Sequence, residues 1–162
     1  MNLIGEAIKL RNEGNKEEAL ERLLQLLNTI EAEQAAQLNY QIAWTYDSLG
    51  LEKEAVPYYL DAISMGIQGE DRSGALLGLG STYRTLGQYE AAENVLRQGI
   101  DEFPENKEFR VFLAMVQYNL KEYAVAMRLL LEEIAENSSN SGVQSYRKAI
   151  AFYADKLDQR WD

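Results

Sequence analysis

Small residues recur along this chain at a nearly constant spacing, and this repeat restricts the possible folds more than any other feature. Three columns of residues share the successive separations 36, 37 and 34: Ala7, Ala43, Gly80 and Ala114; Ala19, Ala55, Ala92 and Ala126; Leu23, Tyr59, Leu96 and Leu130. Gly14, Gly50 and Gly87 lie between the first two columns, and Lys121 has that place in the last copy. A period of about 34 residues without strand-like alternation predicts stacked helical hairpins.

The third copy shows the internal pattern of a unit most clearly. Its sequence is LLGLGSTYRTLGQYEAAENVLRQGIDEFP. The residues at i, i+3, i+4 and i+7 share one face of a first helix: Leu76, Leu79, Gly80 and Tyr83. Gly87 can adopt the left-handed conformation that ends a helix. Pro104 closes the unit because proline cannot continue a helix.

This pattern resembles the tetratricopeptide repeat (TPR) family, over about residues 2–136. The resemblance implies an all-α fold, an α-α superhelix of about four helical hairpins followed by a C-terminal capping helix. We expect one domain over residues 1–162, with units at about 2–31, 36–69, 73–106 and 107–140 and the capping helix at about 141–160. The residues SMGIQGEDRSG are expected to lengthen the loop between the second and third units.

The first and last units depart from the family pattern. Arg110 has the place of the usual large apolar residue, Gln117 that of the tyrosine, and Glu133 that of a small packed residue. Glu6 has a usually apolar place in the first unit. Weaker patterns are expected at the ends of a solenoid, because one side of each end unit lacks a neighbour.

The tail after the fourth unit predicts one further long helix, GVQSYRKAIAFYADKLDQRW. Either Asn140 or Ser141 can act as its N-cap. A stripe of apolar residues runs along it: Val143, Tyr146, Ile150, Tyr153 and Leu157. We expect Tyr146, Ile150 and Tyr153 to cover the apolar end of the fourth unit. This tail is similar to that of small stand-alone bacterial TPR proteins.

Composition excludes several classes of function. The net charge of −10 argues against binding to nucleic acid or to an anionic membrane surface. The absence of Cys and His removes the commonest metal ligands, a Cys nucleophile and the usual general base. The first residues carry charges where a signal peptide needs an apolar stretch, so we expect a cytoplasmic protein. We also expect no enzymatic activity, no cofactor and no metal.

In TPR proteins the first helix of each unit lines a concave groove. The resemblance therefore implies a partner-binding groove formed by residues of the second, third and fourth first helices: Tyr40, Trp44, Leu77, Ser81, Arg84, Val111, Met115 and Tyr118. Ile4, Ile8, Arg11 and Asp47 have the same register. Most of these side chains are apolar, and a large exposed apolar patch marks an interaction surface.

Two polar features of this groove bear on its partner. The Lys and Asn side chains with which chaperone-binding TPR proteins hold a peptide carboxylate are missing at the matching positions. Capture of a C-terminal carboxylate is therefore disfavoured. Arg84 is the one central cation, and we expect it to pair with Asp47 of the neighbouring unit rather than with an acidic partner.

The sequence leaves three occupants of the groove open: the C-terminal helix of this chain, a second copy of the chain, or a foreign peptide or protein. The favoured function is a protein–protein interaction module or scaffold that acts through an apolar, aromatic groove, with homodimerisation as one route. The alternative is a regulatory receptor for a small peptide or helical segment, whose binding changes the curvature of the superhelix.

Overall fold

The computed structural model describes residues 3–161, which form helices joined by short turns. Within these residues there are nine helices: α1 (Leu3–Asn12), α2 (Lys16–Leu26), α3 (Ala32–Ser48), α4 (Glu52–Ser64), α5 (Gly69–Thr85), α6 (Tyr89–Glu102), α7 (Glu108–Asn119), α8 (Tyr123–Asn137) and α9 (Ser141–Tyr153). None of the helices in this part of the chain is both long and apolar enough to cross a lipid bilayer.

Successive helices pack as hairpins that stack on one another. α1 pairs with α2, α3 with α4, α5 with α6 and α7 with α8, and each second helix also contacts the first helix that follows it. The first helices α1, α3, α5 and α7 contact one another in turn. The chain is therefore an α-α solenoid, and the predicted fold class is confirmed.

The turns within the hairpins repeat one geometry. Gly14, Gly50 and Gly87 have φ of +96°, +74° and +74°, and Lys121 has φ of +67°. At each turn this residue and the next one donate their backbone N–H groups to the last carbonyls of the preceding helix, which is the Schellman arrangement. Lys121 adopts this conformation although it carries a Cβ, so the stacking of unit four outweighs a local strain of about 1–2 kcal/mol.

The column of small residues lies where the two helices of each hairpin meet. Ala7 and Ala43 are fully buried, and Ala114 is 1% exposed. A methyl group on Gly80 would lie 2.7 Å from Cγ and Cδ2 of Leu96, so α5 and α6 approach too closely for any side chain at this position. The repeat columns thus mark the contacts that hold each hairpin together.

Unit four replaces apolar signature positions with paired polar side chains. Arg110 lies 2.5 Å from a carboxylate oxygen of Glu132 and 2.5 Å from one of Glu133. Gln117 is buried and donates to Glu93 of the preceding unit at 2.8 Å. Arg110 and Glu133 therefore compensate each other, and Gln117 has its partner in unit three, so these polar replacements are paired in the stack.

The prediction of a lengthened loop between units two and three is wrong. Only residues 65–68 separate α4 from α5, and the additional residues extend α5 at its N-terminus. Arg72 holds this extension on α6 through two hydrogen bonds to Glu102, of 2.5 and 2.9 Å. Ser73 accepts a further bond of 2.7 Å from Asn106. Side-chain pairing with the end of α6 therefore keeps these residues helical.

The C-terminal helix differs from the expectation in length and in orientation. Asn140 is its N-cap and accepts a bond of 3.1 Å from the backbone N–H of Val143, but the helix ends at Tyr153 rather than near 160. Tyr146 and Tyr153 are 69% and 47% exposed. The expectation that these two side chains cover the end of unit four is wrong, because α9 turns them towards solvent.

Candidate functional site

The structure separates the predicted groove residues into two depressions on the side of the first helices. The central depression, of about 420 Å³, lies between units two and three and is lined by Tyr40, Trp44, Leu77 and Ser81. The C-terminal depression, of about 390 Å³, lies on units three and four and is lined by residues from α5, α7 and α8: Arg84, Ala114, Met115, Tyr118, Tyr123, Ala126, Met127 and Leu130. Val111 is half-buried on α7 and lines neither.

Trp44 is the most exposed aromatic side chain of the central depression. Its ring stacks on Tyr40 with a centroid distance of 5.9 Å and remains 45% exposed. Tyr40 is only 7% exposed, and burial raises the pKa of its phenol to about 12. Tyr40 therefore forms a neutral floor, while about half of the Trp44 side chain remains open to solvent.

Arg11 supports Trp44 from the first unit. Its guanidinium carbon lies 4.0 Å from the centroid of the Trp44 ring, which is a cation–π contact. The same guanidinium donates to the backbone oxygen of Gln41 at 3.4 Å and to Oγ1 of Thr45 at 3.3 Å. Arg11 is 5% exposed, and burial lowers its pKa. The indole is thus held by two side chains, Tyr40 one turn earlier on the same helix α3 and Arg11 on α1.

Asp47 supplies a carboxylate to the wall of the central depression. It accepts hydrogen bonds from the hydroxyl of Tyr59 at 2.7 Å and from Oγ1 of Thr82 at 2.8 Å. Burial raises the pKa of Asp47, and these two hydrogen bonds oppose that rise. The carboxylate is therefore part of a network that joins α3, α4 and α5.

The predicted pairing of Arg84 with Asp47 is wrong. The Nε of Arg84 donates to Oδ1 of Asn119 at 2.8 Å, on the first helix of the next unit. Tyr59 and Thr82 already occupy the Asp47 carboxylate. Arg84 therefore lies at the rim of the C-terminal depression, where it links α5 to α7.

Two glycines and a phenylalanine that are not among the predicted groove residues also shape the central depression. Gly74 and Gly78 lie one turn apart on α5, and Phe112 reaches the same depression from α7. A methyl group at Gly74 would overlap the ring of Tyr40, and one at Gly78 would overlap that of Tyr59. Two glycines at i and i+4 inside a helix are the signal that could have indicated this hollow, since glycine disfavours helix interiors.

The lining of the central depression is mixed in polarity. Its surface is mostly aromatic and aliphatic, with Asp47, Ser48 and Ser81 as polar groups. An apolar side chain fits such a surface, and the few polar groups can orient the backbone that carries it.

A family model named Tetratrico peptide repeat matches residues 36–157, which is most of the chain. The chain belongs to the tetratricopeptide repeat family. No curated protein sequence is detectably similar to this TPR protein.

Solved structures share this fold at low sequence identity. YrrB, described as a TPR protein with an unusual peptide-binding site, superposes with a TM-score of 0.72 at 20% identity, over 98% of this chain and 78% of YrrB. A TPR protein from Parabacteroides merdae ATCC 43184 has a TM-score of 0.72 at 22% identity, over 94% of this chain and 58% of that one. MamA has a TM-score of 0.69 at 15% identity, over 94% of both chains.

Proposed function

We propose that this TPR protein is a non-catalytic interaction module that binds a segment of another protein in its central depression. The observation that carries the proposal is the half-exposed Trp44, held by Tyr40 and Arg11 beside a hollow of about 420 Å³. Trp and Tyr side chains of this kind dominate the binding energy of protein interfaces, at about 2 kcal/mol or more for a central residue.

The lining defines the chemistry of the segment. An aliphatic or aromatic side chain that enters between Trp44, Leu77 and Phe112 replaces water on three apolar surfaces. Ser48 and Ser81 lie at the same hollow and can bond to the backbone of the segment. The net charge of −10 and the Asp47 carboxylate disfavour an acidic segment. The expected partner is therefore a neutral or basic peptide segment with an apolar anchor.

The likeness to YrrB supports a peptide as the occupant, because that protein is described by its peptide-binding site. The two chains share only the fold at 20% identity, so the residues of the site are argued from this chain alone. The hollow lies between two stacked units, which is where a bound segment would also affect the angle between them.

A phage-displayed library of short linear peptides tests the proposal. Selection on the wild-type protein should enrich peptides that share one apolar anchor and that lose affinity for the double variant Trp44→Ala/Leu77→Asp. Their binding is then read from Trp44 fluorescence in a Trp161→Phe background, where Trp44 is the remaining tryptophan. Because the double variant lacks Trp44, its affinity is measured by calorimetry. Enriched peptides that bind the double variant as tightly as the wild type would contradict the proposal.

A second copy of the chain is the alternative occupant of the hollow. In that case Trp44 emission in the same background would change with protein concentration without any peptide. Emission that stays constant on dilution, while the protein still binds selected peptides, supports a foreign segment.

A further inference from the structure

The second helix of unit four has an uncovered side. In unit three, Glu93 accepts a hydrogen bond from Gln117 of the following first helix, and Ile100 is half-buried in the same interface. One repeat later these positions are Met127 and Ile134, which are 45% and 47% exposed. No following first helix lies against them within the described chain.

The C-terminal depression is the place that a fifth first helix would occupy. We call this depression, with the exposed Ile134 of α8, the open boundary of unit four. Tyr118 and Tyr123 meet edge to face at its rim, with ring centroids 5.1 Å apart, and are 62% and 52% exposed. Met115 and Leu130 form its floor. The three preceding unit boundaries are each filled by an α-helix, so the shape left open at this boundary fits a helix.

The chain's own α9 does not fill this place. α9 packs on α8, and no contact joins α9 to α7 among the described residues. It lies near Ala135 of α8, whose counterparts in the earlier units, Ser64 and Asp101, are exposed. Ala135 and Leu130 are five residues apart, or about 140° around the helix at 100° per residue. α9 therefore lies on the outer side of α8, away from the open boundary.

The side of α9 that faces α8 is its basic side. The helix carries Arg147 and Lys148 and no acidic residue, in a chain whose net charge is −10. Both basic residues line a depression with Glu132 and Glu136 of α8 and with Arg110 of α7, which already forms an ion pair with Glu132. This placement leaves the aromatic side of α9 exposed.

The outward face of α9 is an aromatic cluster. Phe152 and Tyr153 are about half exposed, and their ring centroids lie 5.1 Å apart. Tyr146, about two helical turns earlier, is 69% exposed. The segment after α9 turns back, so that the Trp161 ring lies 5.5 Å from that of Tyr153. We call Tyr146, Phe152, Tyr153, Leu157 and Trp161 the α9 cluster.

We propose that two copies of this chain associate through their C-terminal ends, with the α9 cluster of one copy seated in the open boundary of unit four of the other. Each copy has one cluster and one open boundary on different sides of α8. With a two-fold axis between the copies, each cluster meets the boundary of the other copy, and both surfaces of both copies are satisfied in one closed dimer. The central depression is not part of this contact and remains free for a partner.

The area is sufficient for a stable dimer. The five side chains of the cluster and Tyr118, Tyr123, Met127 and Ile134 of the boundary are each roughly half exposed. At about 200 Å² for a large side chain, each leaves about 100 Å² to bury, or roughly 900 Å² for one cluster-and-boundary contact. The two contacts of the dimer then bury about 1,800 Å², within the range of specific protein interfaces.

Sedimentation velocity over a range of protein concentrations tests the proposal with two charge variants. Met127→Glu disables the boundary, and Phe152→Glu disables the cluster. Both residues are about half exposed, so folding is expected to persist and is checked by circular dichroism. Leu60→Glu on α4, 44% exposed, is the matched control. We expect the wild type and the control to dimerise, and each of the two variants to dissociate at least tenfold more readily.

Mixing the two variants decides the pairing. The Phe152→Glu chain retains an intact boundary and the Met127→Glu chain an intact cluster, so the mixture should form heterodimers through one contact. Neither variant alone should self-associate to that extent. A Met127→Glu variant that still dimerises would show pairing between clusters, and a dimeric Phe152→Glu variant pairing between boundaries. Either result overturns the proposal, as does a monomeric wild type.

Two further readouts separate this proposal from the peptide-binding function. In a Trp44→Phe background, Trp161 is the remaining tryptophan, and its emission should change as the dimer dissociates. The Trp44→Ala/Leu77→Asp variant should dimerise as the wild type does. If that variant is monomeric instead, the copies meet through the central depression and the proposal is wrong.

Discussion

Replacement of Gly80 by alanine tests the close approach of α5 and α6 on which the repeat alignment depends. The added methyl carbon would lie 2.7 Å from two carbons of Leu96, so a helix or the leucine must move. Overpacking of this kind costs about 1–3 kcal/mol, while alanine favours a helix over glycine by about 1 kcal/mol. We therefore expect Gly80→Ala to lower the free energy of unfolding by a net amount of up to about 2 kcal/mol.

The background Leu96→Ala makes the test specific to this contact. Leu96 is fully buried, so its truncation alone should cost about 2–5 kcal/mol. The clash partner is then absent, and Gly80→Ala in this background should raise the free energy of unfolding by up to about 1 kcal/mol. Urea denaturation followed by far-UV circular dichroism measures the wild type and the three variants. An effect of Gly80→Ala with the same sign and size in both backgrounds would refute the reasoning.

Three further predictions concern individual side chains. Lys121→Gly should raise the free energy of unfolding by about 0.5–1 kcal/mol, because φ at this position is +67° and glycine adopts it without strain. The thermal midpoint should rise with it, and a lower midpoint would contradict this. Hydrogen bonds from Arg72 lower the pKa of Glu102 to about 2. The stability that ionised Glu102 contributes is therefore complete above about pH 4.5 and is lost as the pH falls through about 2. In thermal melts at several pH values, the melting temperature of Glu102→Gln should fall less steeply with acid than that of the wild type. Glu133→Ala should destabilise the protein more than the double variant Arg110→Leu/Glu133→Ala does. The single change leaves the half-buried Arg110 cation with one carboxylate partner fewer. Equal melting temperatures of the two variants would contradict the pairing of Arg110 with Glu133.

The repeat columns predict the hairpins and their turns because each position has one local physical cause. A left-handed residue must end each first helix, so the glycines and Lys121 mark the turns. Small residues must lie where two helices touch, so the column that contains Gly80 marks the hairpin contacts. Periodicity along the chain carries both kinds of information.

The position of α9 could not be predicted in the same way. Its stripe of Tyr146, Ile150 and Tyr153 indicates which side chains are apolar but not which surface covers them. The choice depends on which side of α9 faces α8, which is a tertiary contact, and in the fold the side with Arg147 and Lys148 lies beside α8. Helical spacing predicts burial of the aromatic side, whereas the packing on α8 leaves that side exposed.

The different burial of two candidate-site residues could not be predicted from the sequence either. Tyr40 and Trp44 lie one turn apart on α3 and have the same predicted role, yet Tyr40 is 7% and Trp44 is 45% exposed. The difference arises because Gly74 on the next first helix has no side chain, which lets the Tyr40 ring pack against the backbone of α5. The burial of Tyr40 therefore depends on the absence of a side chain at Gly74 in the next unit.

The most direct test of the interaction function is the affinity of a selected peptide for three forms of the protein: the wild type, Trp44→Ala/Leu77→Asp, and the matched control Leu60→Asp on the second helix α4. Isothermal titration calorimetry gives each dissociation constant. Binding through the central depression predicts at least a tenfold loss, about 1.4 kcal/mol, for the double variant. The control should bind as the wild type does, and all three forms should melt alike. A folded double variant with wild-type affinity would contradict the account.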